Sequence, residues 1–137
     1  KSLEVNIYSY NNNEDALKIL RTKKHVMVKL ITNGSKGKDF IEQARNIIGS
    51  HCVCLVFTSS SKHMEWVSQM ENVLLTTSPG DFKKFAALKM NKSDILSFAN
   101  ELKKKYETDS YKFKINESEL INFPDRTFCY LNECNIA

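Results

Sequence analysis

The sequence lacks a long apolar run. No stretch of its 137 residues approaches the roughly 18 apolar residues that a membrane-spanning helix needs, and none resembles a signal peptide. Hydrophobic residues still make up 42% of the chain, as expected for a globular domain. Because the chain begins with Lys1 rather than Met, we interpret it as part of a longer protein. From the missing span and signal peptide, together with thiols that we expect to be reduced, we predict an intracellular, cytoplasmic location with no membrane contact.

The four cysteines form neither a CxxC pair nor a Cys/His ligand pattern. Cys52 and Cys54 lie two residues apart in a predicted strand, so they share one face in a geometry unsuited to a mutual disulfide. A chain of this length buries enough surface to fold without a metal or a disulfide. We therefore predict reduced thiols, no metal site and no cofactor.

Catalytic motifs are also missing. The stretch TNGSKGKD (residues 32–39) contains glycines but matches neither of the two phosphate-binding glycine motifs. There is no GxSxG elbow, and Cys54 lies inside a strand rather than in a loop facing a helix N-terminus. The sequence favours a non-catalytic role and leaves an enzyme as the alternative.

The basic residues only slightly outnumber the acidic ones, with 20 Lys and Arg against 16 Asp and Glu and a net charge of +4. The lysines are scattered along the chain, and we interpret them mainly as solvated surface. No aromatic stacking motif is interleaved with them, so a nucleic-acid-binding module is a weaker alternative.

The chain does contain a regular alternation of strand-like and helix-like segments. This alternation predicts a three-layer α/β/α fold with a mainly parallel sheet, flavodoxin-like or Rossmann-like. We assign residues 1–107 to this domain and 108–137 to an irregular extension that packs on it or links to a neighbour. In the extension, YKFKI alternates like an edge strand. The predicted strands lie near residues 3–9, 26–32, 52–58 and 73–77.

Ligands of open parallel sheets bind beyond the carboxyl ends of the strands. Here that edge is rich in hydroxyl groups and lacks carboxylates, so it could hold a phosphate at helix N-termini. Ordinary capping of the helices is the competing interpretation, and we favour it. His63 is the only histidine near this edge, and without an acidic partner we assign it a surface role. The candidate ligand-binding residues are Asn33, Gly34, Thr58, Ser59, Thr77 and Ser78.

The stretch NVLLTTSPGDF (residues 72–82) reads as a strand that leads into a helix. We expect the Thr77 or Ser78 side chain to cap that helix, Pro79 to suit its first turn and Asp81 to complement its positive end. Ser78-Pro79 is also the dipeptide that proline-directed kinases modify. Ser78 is therefore a candidate phosphosite.

The order of segments between Leu3 and Leu88 resembles the receiver domain of response regulators. The resemblance rests on EDAL (residues 14–17), VMVKLITNGSKGKDFIEQAR (26–45), CVCLVFTSS (52–60) and NVLLTTSP (72–79). It implies that the phosphoacceptor position falls on Thr32 or Asn33 and the lysine position on Ser78. The acidic pair would lie on a first strand that precedes Lys1.

A receiver that lacks its acceptor carboxylate cannot form an aspartyl phosphate, and without clustered oxygen ligands it should not bind Mg²⁺ tightly. The resemblance therefore implies a degenerate receiver-like domain that keeps its scaffold for partners. Our leading prediction is a non-catalytic protein-interaction or regulatory module whose partner is a protein or a neighbouring domain. The first alternative is a small enzyme or sensor that binds a phosphorylated ligand at the strand tips.

Overall fold

The computed structural model describes residues 5–22, 28–49, 52–88, 91–120 and 127–132, with residues 5–8 and 127–132 described by their backbone alone. Its strands are β1 Val5–Tyr10, β2 Val28–Thr32, β3 Cys52–Phe57, β4 Val73–Thr76 and β5 Thr127–Asn132. Its helices are α1 Asn13–Leu20, α2 Gly37–Ile48, α3 Met64–Val67, α4 Pro79–Ala87 and α5 Lys92–Tyr106. Short 3-10 turns lie at Ser61–His63 and Glu117–Glu119.

The five strands form one parallel sheet in the order β1-β5-β2-β3-β4. The predicted α/β fold with a parallel sheet is confirmed, and so are its four expected strands. The order equals the flavodoxin-like order 2-1-3-4-5, except that the last strand of the chain takes the place of the first. The connection from β4 to β5 therefore crosses two strands of the sheet, β3 and β2.

Strand β5 lies in a segment that the sequence analysis expected to be irregular. Thr127–Asn132 pairs with β1 along its whole length and with β2 on its other side. Within YKFKI, in contrast, the expected edge strand is reduced to a single bridge between Lys114 and Glu71. The tail therefore contributes an interior strand, which local alternation around Pro124 did not reveal.

Helices cover both faces of the sheet. Thr32 lies under α2 and α3, since a Cβ added at Gly37 would stand 2.7 Å from Thr32 Cγ2 and 3.4 Å from Trp66 Cη2. Helix α1 packs beside α2. Lys29, three residues before Thr32 and hence on the opposite face, contacts the end of α4. Helix α5 joins α4 on that face, where Thr76 bonds to both helices.

Residues at the helix ends explain where most of the helices begin and end. Asn12 caps α1 by accepting from the Asp15 N–H at 2.9 Å, and Gly49 ends α2 with a φ of 74°, where glycine avoids strain. Ser78 occupies the cap position of α4, but its side chain makes no capping hydrogen bond. That part of the prediction is wrong, since the Thr77 hydroxyl lies against Tyr106 Oη instead and the Ser78 N–H donates to Thr76 Oγ1 at 3.0 Å.

Lys29 is an exception to the interpretation of the lysines as mainly surface residues. Its side chain is 0% exposed, and its Nζ donates to three carbonyl oxygens at the end of α4. The Phe85 carbonyl also accepts from the Leu88 N–H, and all three lie at the negative end of the helix dipole. Lys29 therefore caps α4 from within the core.

None of the helices in the described ranges is both long enough and apolar enough to cross a bilayer.

Candidate ligand site at the carboxyl edge of the sheet

A small pocket opens at the carboxyl ends of β2 and β3. Its volume is about 150 Å³, smaller than the roughly 300–1,000 Å³ of pockets for drug-sized ligands. At ~30 Å³ per water molecule, it has room for about five waters or for one small anion with part of its hydration shell. It is lined by Asn33, Gly34, Ser35, Phe57, Thr58, Ser59 and His63.

The structure brings four of the six predicted ligand-binding residues together in this pocket. Asn33 and Gly34 follow β2, while Thr58 and Ser59 follow β3. Two parallel neighbouring strands end at the same edge, so their following loops meet there. Whether these residues bind a ligand remains a prediction.

Asn33 is the most unusual residue of the site. It is only 2% exposed, and its Oδ1 accepts from the Lys36 N–H at 2.8 Å, which shapes the turn into α2. Its Nδ2 is buried and has no hydrogen-bond partner among the described residues. A buried amide without a partner costs about 1–3 kcal/mol, so any acceptor that reached this donor through the loop would be stabilising.

The His63 ring lies directly against the glycine of the first loop. A Cβ added at Gly34 would overlap His63 Cδ2 and Nε2 and would stand 2.8 Å from Thr58 Oγ1. Only glycine allows the ring to approach this closely. Position 34 therefore needs glycine for space, and the glycine lets the imidazole border the pocket.

Trp66 orients the same imidazole from the other side. The indole Nε1–H donates to His63 Nδ1 at 3.1 Å, and the two rings meet edge to face. Our assignment of His63 to a simple surface role is therefore incomplete. The signal in the sequence was the spacing of three residues between His63 and Trp66, which places both on one side of a helical turn.

The electrostatics of the pocket favour an anion. None of its lining residues carries a carboxylate, and the exposed Lys36 and Lys62 are close in sequence to the two loops. The pocket loop also leads directly into α2, whose N-terminal cap position, Lys36, makes no side-chain hydrogen bond to the first turn. Burial, and then the charge of Lys62, lower the pKa of His63, so this ring is neutral at physiological pH.

The other two predicted residues, Thr77 and Ser78, belong to a separate network. Tyr106 Oη lies 3.1 Å from Thr76 Oγ1 and accepts from the Thr77 N–H at 3.0 Å. Thr76 Oγ1 in turn donates to Asp81 at 2.7 Å, and Asp81 pairs with Lys105. This network connects the tip of β4 to α4 and α5, which explains its polar residues without a ligand.

This network predicts unequal costs for neighbouring hydroxyl groups. Ser78→Ala should change the free energy of unfolding by less than about 0.5 kcal/mol, because no capping bond is lost. Thr76→Val should cost about 1–3 kcal/mol, since it leaves the Tyr106 and Asp81 contacts unmet. Urea denaturation of both variants measures the difference.

Ser78→Glu tests the candidate phosphosite in the same assay. Ser78 is half-buried at the start of α4, where a negative charge interacts favourably with the helix dipole. The variant should melt within a few degrees of Ser78→Ala. A much lower melting temperature would mean that the position cannot accept a charge, and Ser78 would cease to be a candidate phosphosite.

A second polar cluster lies away from the pocket, at the start of β3. Cys52 and Cys54 are buried free thiols on the same face, as predicted, and Arg45 Nε donates to Cys52 Sγ at 3.5 Å. The hydrogen bond from Cys54 and the nearby Arg45 charge lower the pKa of Cys52 to about 7, whereas burial raises that of Cys54. Both thiols are closed to solvent, so we assign the cluster to the core.

Metal ligation has no support in the described ranges, where no group of three or more His, Cys, Asp or Glu side chains could hold an ion. Comparisons with known proteins add no name to the site. No protein-family model matches the chain, and neither the curated proteins nor the solved structures contain a match. The receiver-like resemblance therefore stays a prediction.

Proposed function

We propose that this chain is a non-catalytic regulatory module that binds a phosphate-bearing ligand in the pocket between β2 and β3. The proposal rests above all on one observation, the buried Asn33 Nδ2 donor that has no partner among the described residues. The proposal combines the regulatory module that the sequence favoured with the phosphorylated ligand that the sequence offered as the first alternative. A protein partner remains compatible with it, as the carrier of the phosphate group.

Three further features favour a phosphate over other small ligands. The lining supplies hydroxyl and amide groups and one neutral imidazole, which together can donate to an oxyanion. The adjacent N-terminal end of α2 adds a partial positive charge. The small volume suits a phosphoryl group rather than a complete cofactor. Catalysis receives less support, since no hydroxyl of the lining is hydrogen-bonded to His63 and no carboxylate of the lining orients its ring.

Titration with inorganic phosphate tests the proposal. Saturable shifts should appear in the nuclear magnetic resonance signals of the Asn33 side-chain amide and of the Gly34 and Ser35 backbone amides. Asn33→Asp retains the oxygen that accepts from Lys36 and replaces the free donor with a repelling charge. We expect this variant to bind phosphate at least about tenfold more weakly.

Asn12→Asp is the matched control. It makes the same charge change at the exposed cap of α1, where aspartate caps as well as asparagine. Its phosphate affinity should equal that of the wild type. Ser59→Ala, at an exposed pocket residue, provides a second variant should Asn33→Asp fold poorly, and should bind about threefold more weakly. Equal affinity in the wild type and in both pocket variants would refute the proposal.

A further inference from the structure

We propose that His63 donates its Nε2–H to the bound oxyanion and that Trp66 is the positioning residue that holds the imidazole in this form. This inference rests on the proposed function, because it concerns the same pocket. It adds a ligand-contacting residue and a positioning residue that the sequence analysis did not assign, and it specifies a ligand that accepts hydrogen bonds.

The Trp66 indole determines the hydrogen-bonding role of His63 Nδ1. An indole N–H can only donate, so the His63 Nδ1 that it contacts at 3.1 Å must act as the acceptor. A neutral imidazole that accepts at Nδ1 carries its proton on Nε2. The Trp66 contact therefore selects one of the two tautomers and one of the two ring orientations.

Nε2 of His63 lies beside Gly34, and both residues line the pocket. Nδ1 is occupied by the indole, whereas Nε2 has no hydrogen bond to another described residue. Asn33 directly precedes Gly34 in the same loop, and its buried Nδ2 also has no partner among the described residues. The free ring nitrogen therefore lies at the wall of the pocket, next to a loop that contains a second free donor.

The Trp66 contact also affects the charge state of the His63 ring. Protonation at Nδ1 would place two N–H groups against each other at the Trp66 contact, so that contact favours the neutral ring. The lowered pKa of His63 agrees with this. The site therefore binds its ligand with neutral donors, and sulfate should compete with inorganic phosphate, because both present anionic oxygen acceptors to these groups.

Paired substitutions at position 63 separate the two ring nitrogens. The amide nitrogen of glutamine extends to the place of Nε2, whereas that of asparagine reaches only the place of Nδ1. His63→Gln should therefore keep phosphate affinity within about threefold, and His63→Asn should lose about tenfold. Equal affinity of both variants and the wild type would overturn the role of His63 while leaving the phosphate site intact.

Trp66→Phe tests the positioning role, because it keeps an aromatic ring and removes the N–H. It should weaken phosphate binding severalfold in the wild type and have no further effect in His63→Asn. A purely structural role for Trp66 would instead reduce the affinity equally in both backgrounds, which would overturn the proposed coupling. Thermal melting of each variant confirms that it is folded.

Nitrogen-15 chemical shifts of the His63 ring, recorded without ligand at alkaline pH, provide an independent readout. The wild type should show a proton on Nε2 and a free Nδ1. A proton on Nδ1 would contradict the inference, whatever the affinities. If the expected tautomer is observed but phosphate does not bind to the wild type, the pairing of His63 with Trp66 stands, while both the proposed function and the donor role fail.

Discussion

Truncation after Leu120 is expected to abolish folding. The truncated chain would lose β5, which pairs with both β1 and β2. Without it, β1 has no neighbour in the sheet, and the inner edge of β2 loses its backbone hydrogen bonds. We expect the far-ultraviolet circular dichroism of the folded chain and its cooperative thermal transition to disappear.

Truncation after Asn132 is the control, because it keeps all five strands and should retain the cooperative transition. Cys129→Pro in the full chain tests the same point with one substitution. Proline removes a backbone donor in an interior strand and should destabilise the fold by about 3 kcal/mol or more. If the chain truncated after Leu120 melts cooperatively near the wild-type temperature, residues 121–137 are an appendage, as the sequence analysis expected.

Lys29→Met should be among the most destabilising single substitutions in the chain. Methionine nearly matches the length of the lysine side chain but leaves the half-buried carbonyls of Ala86 and Leu88 without this donor, while Phe85 keeps only the Leu88 N–H. Each unmet acceptor costs about 1–3 kcal/mol, partly offset because the lysine charge is no longer buried. We expect a net loss of about 3–5 kcal/mol in the free energy of unfolding.

Lys83→Met is the matched control for Lys29→Met. It makes the same change on α4 itself, where Lys83 is exposed, and should alter stability by less than about 0.5 kcal/mol. Chemical denaturation measures both values. Near-equal stability of the two variants would show that the carbonyls at the end of α4 find water or another donor, and the capping role of Lys29 would be wrong.

The two structural predictions bear on the ligand site as well. The pocket lies where β2 and β3 end, so its two loops depend on the position of β2 beside β5. Lys29 holds α4 against the same strand from the other face. The truncation should therefore abolish phosphate binding together with the fold, and Lys29→Met should lower stability, whereas the pocket variants should affect binding alone.

Much of the architecture could be predicted from the sequence because the signals are local. Each of these signals involves residues within a few positions of each other. They include the strand and helix periods along the chain, the cap at Asn12 and the glycine at the end of α2, Gly49. The two-residue period of a strand predicted that Cys52 and Cys54 share a face. Asn33 and Thr58 were predicted to lie at one edge of the sheet, because parallel strands present their carboxyl ends together.

Only the tertiary structure decided which strand lies next to which. An interior position for β5 depends on pairings with residues that are 100 positions away in β2 and 122 positions away in β1, and no local pattern reports them. The same applies to Lys29, whose partners are 56 to 59 residues away, and to Tyr106, whose hydroxyl meets β4 across 30 residues.

The ligand site, too, was predictable from the sequence in part and was otherwise decided by the tertiary structure. The sequence identified a hydroxyl-rich edge, but it could not tell that Thr77 and Ser78 join a separate network or that His63 borders the pocket. Those outcomes depend on the crossing of loops and helices above the sheet and on the close approach that Gly34 allows. Composition and periodicity determine the layers of this protein, whereas the environment of each polar side chain follows from contacts between distant segments, which are formed only when the sheet assembles.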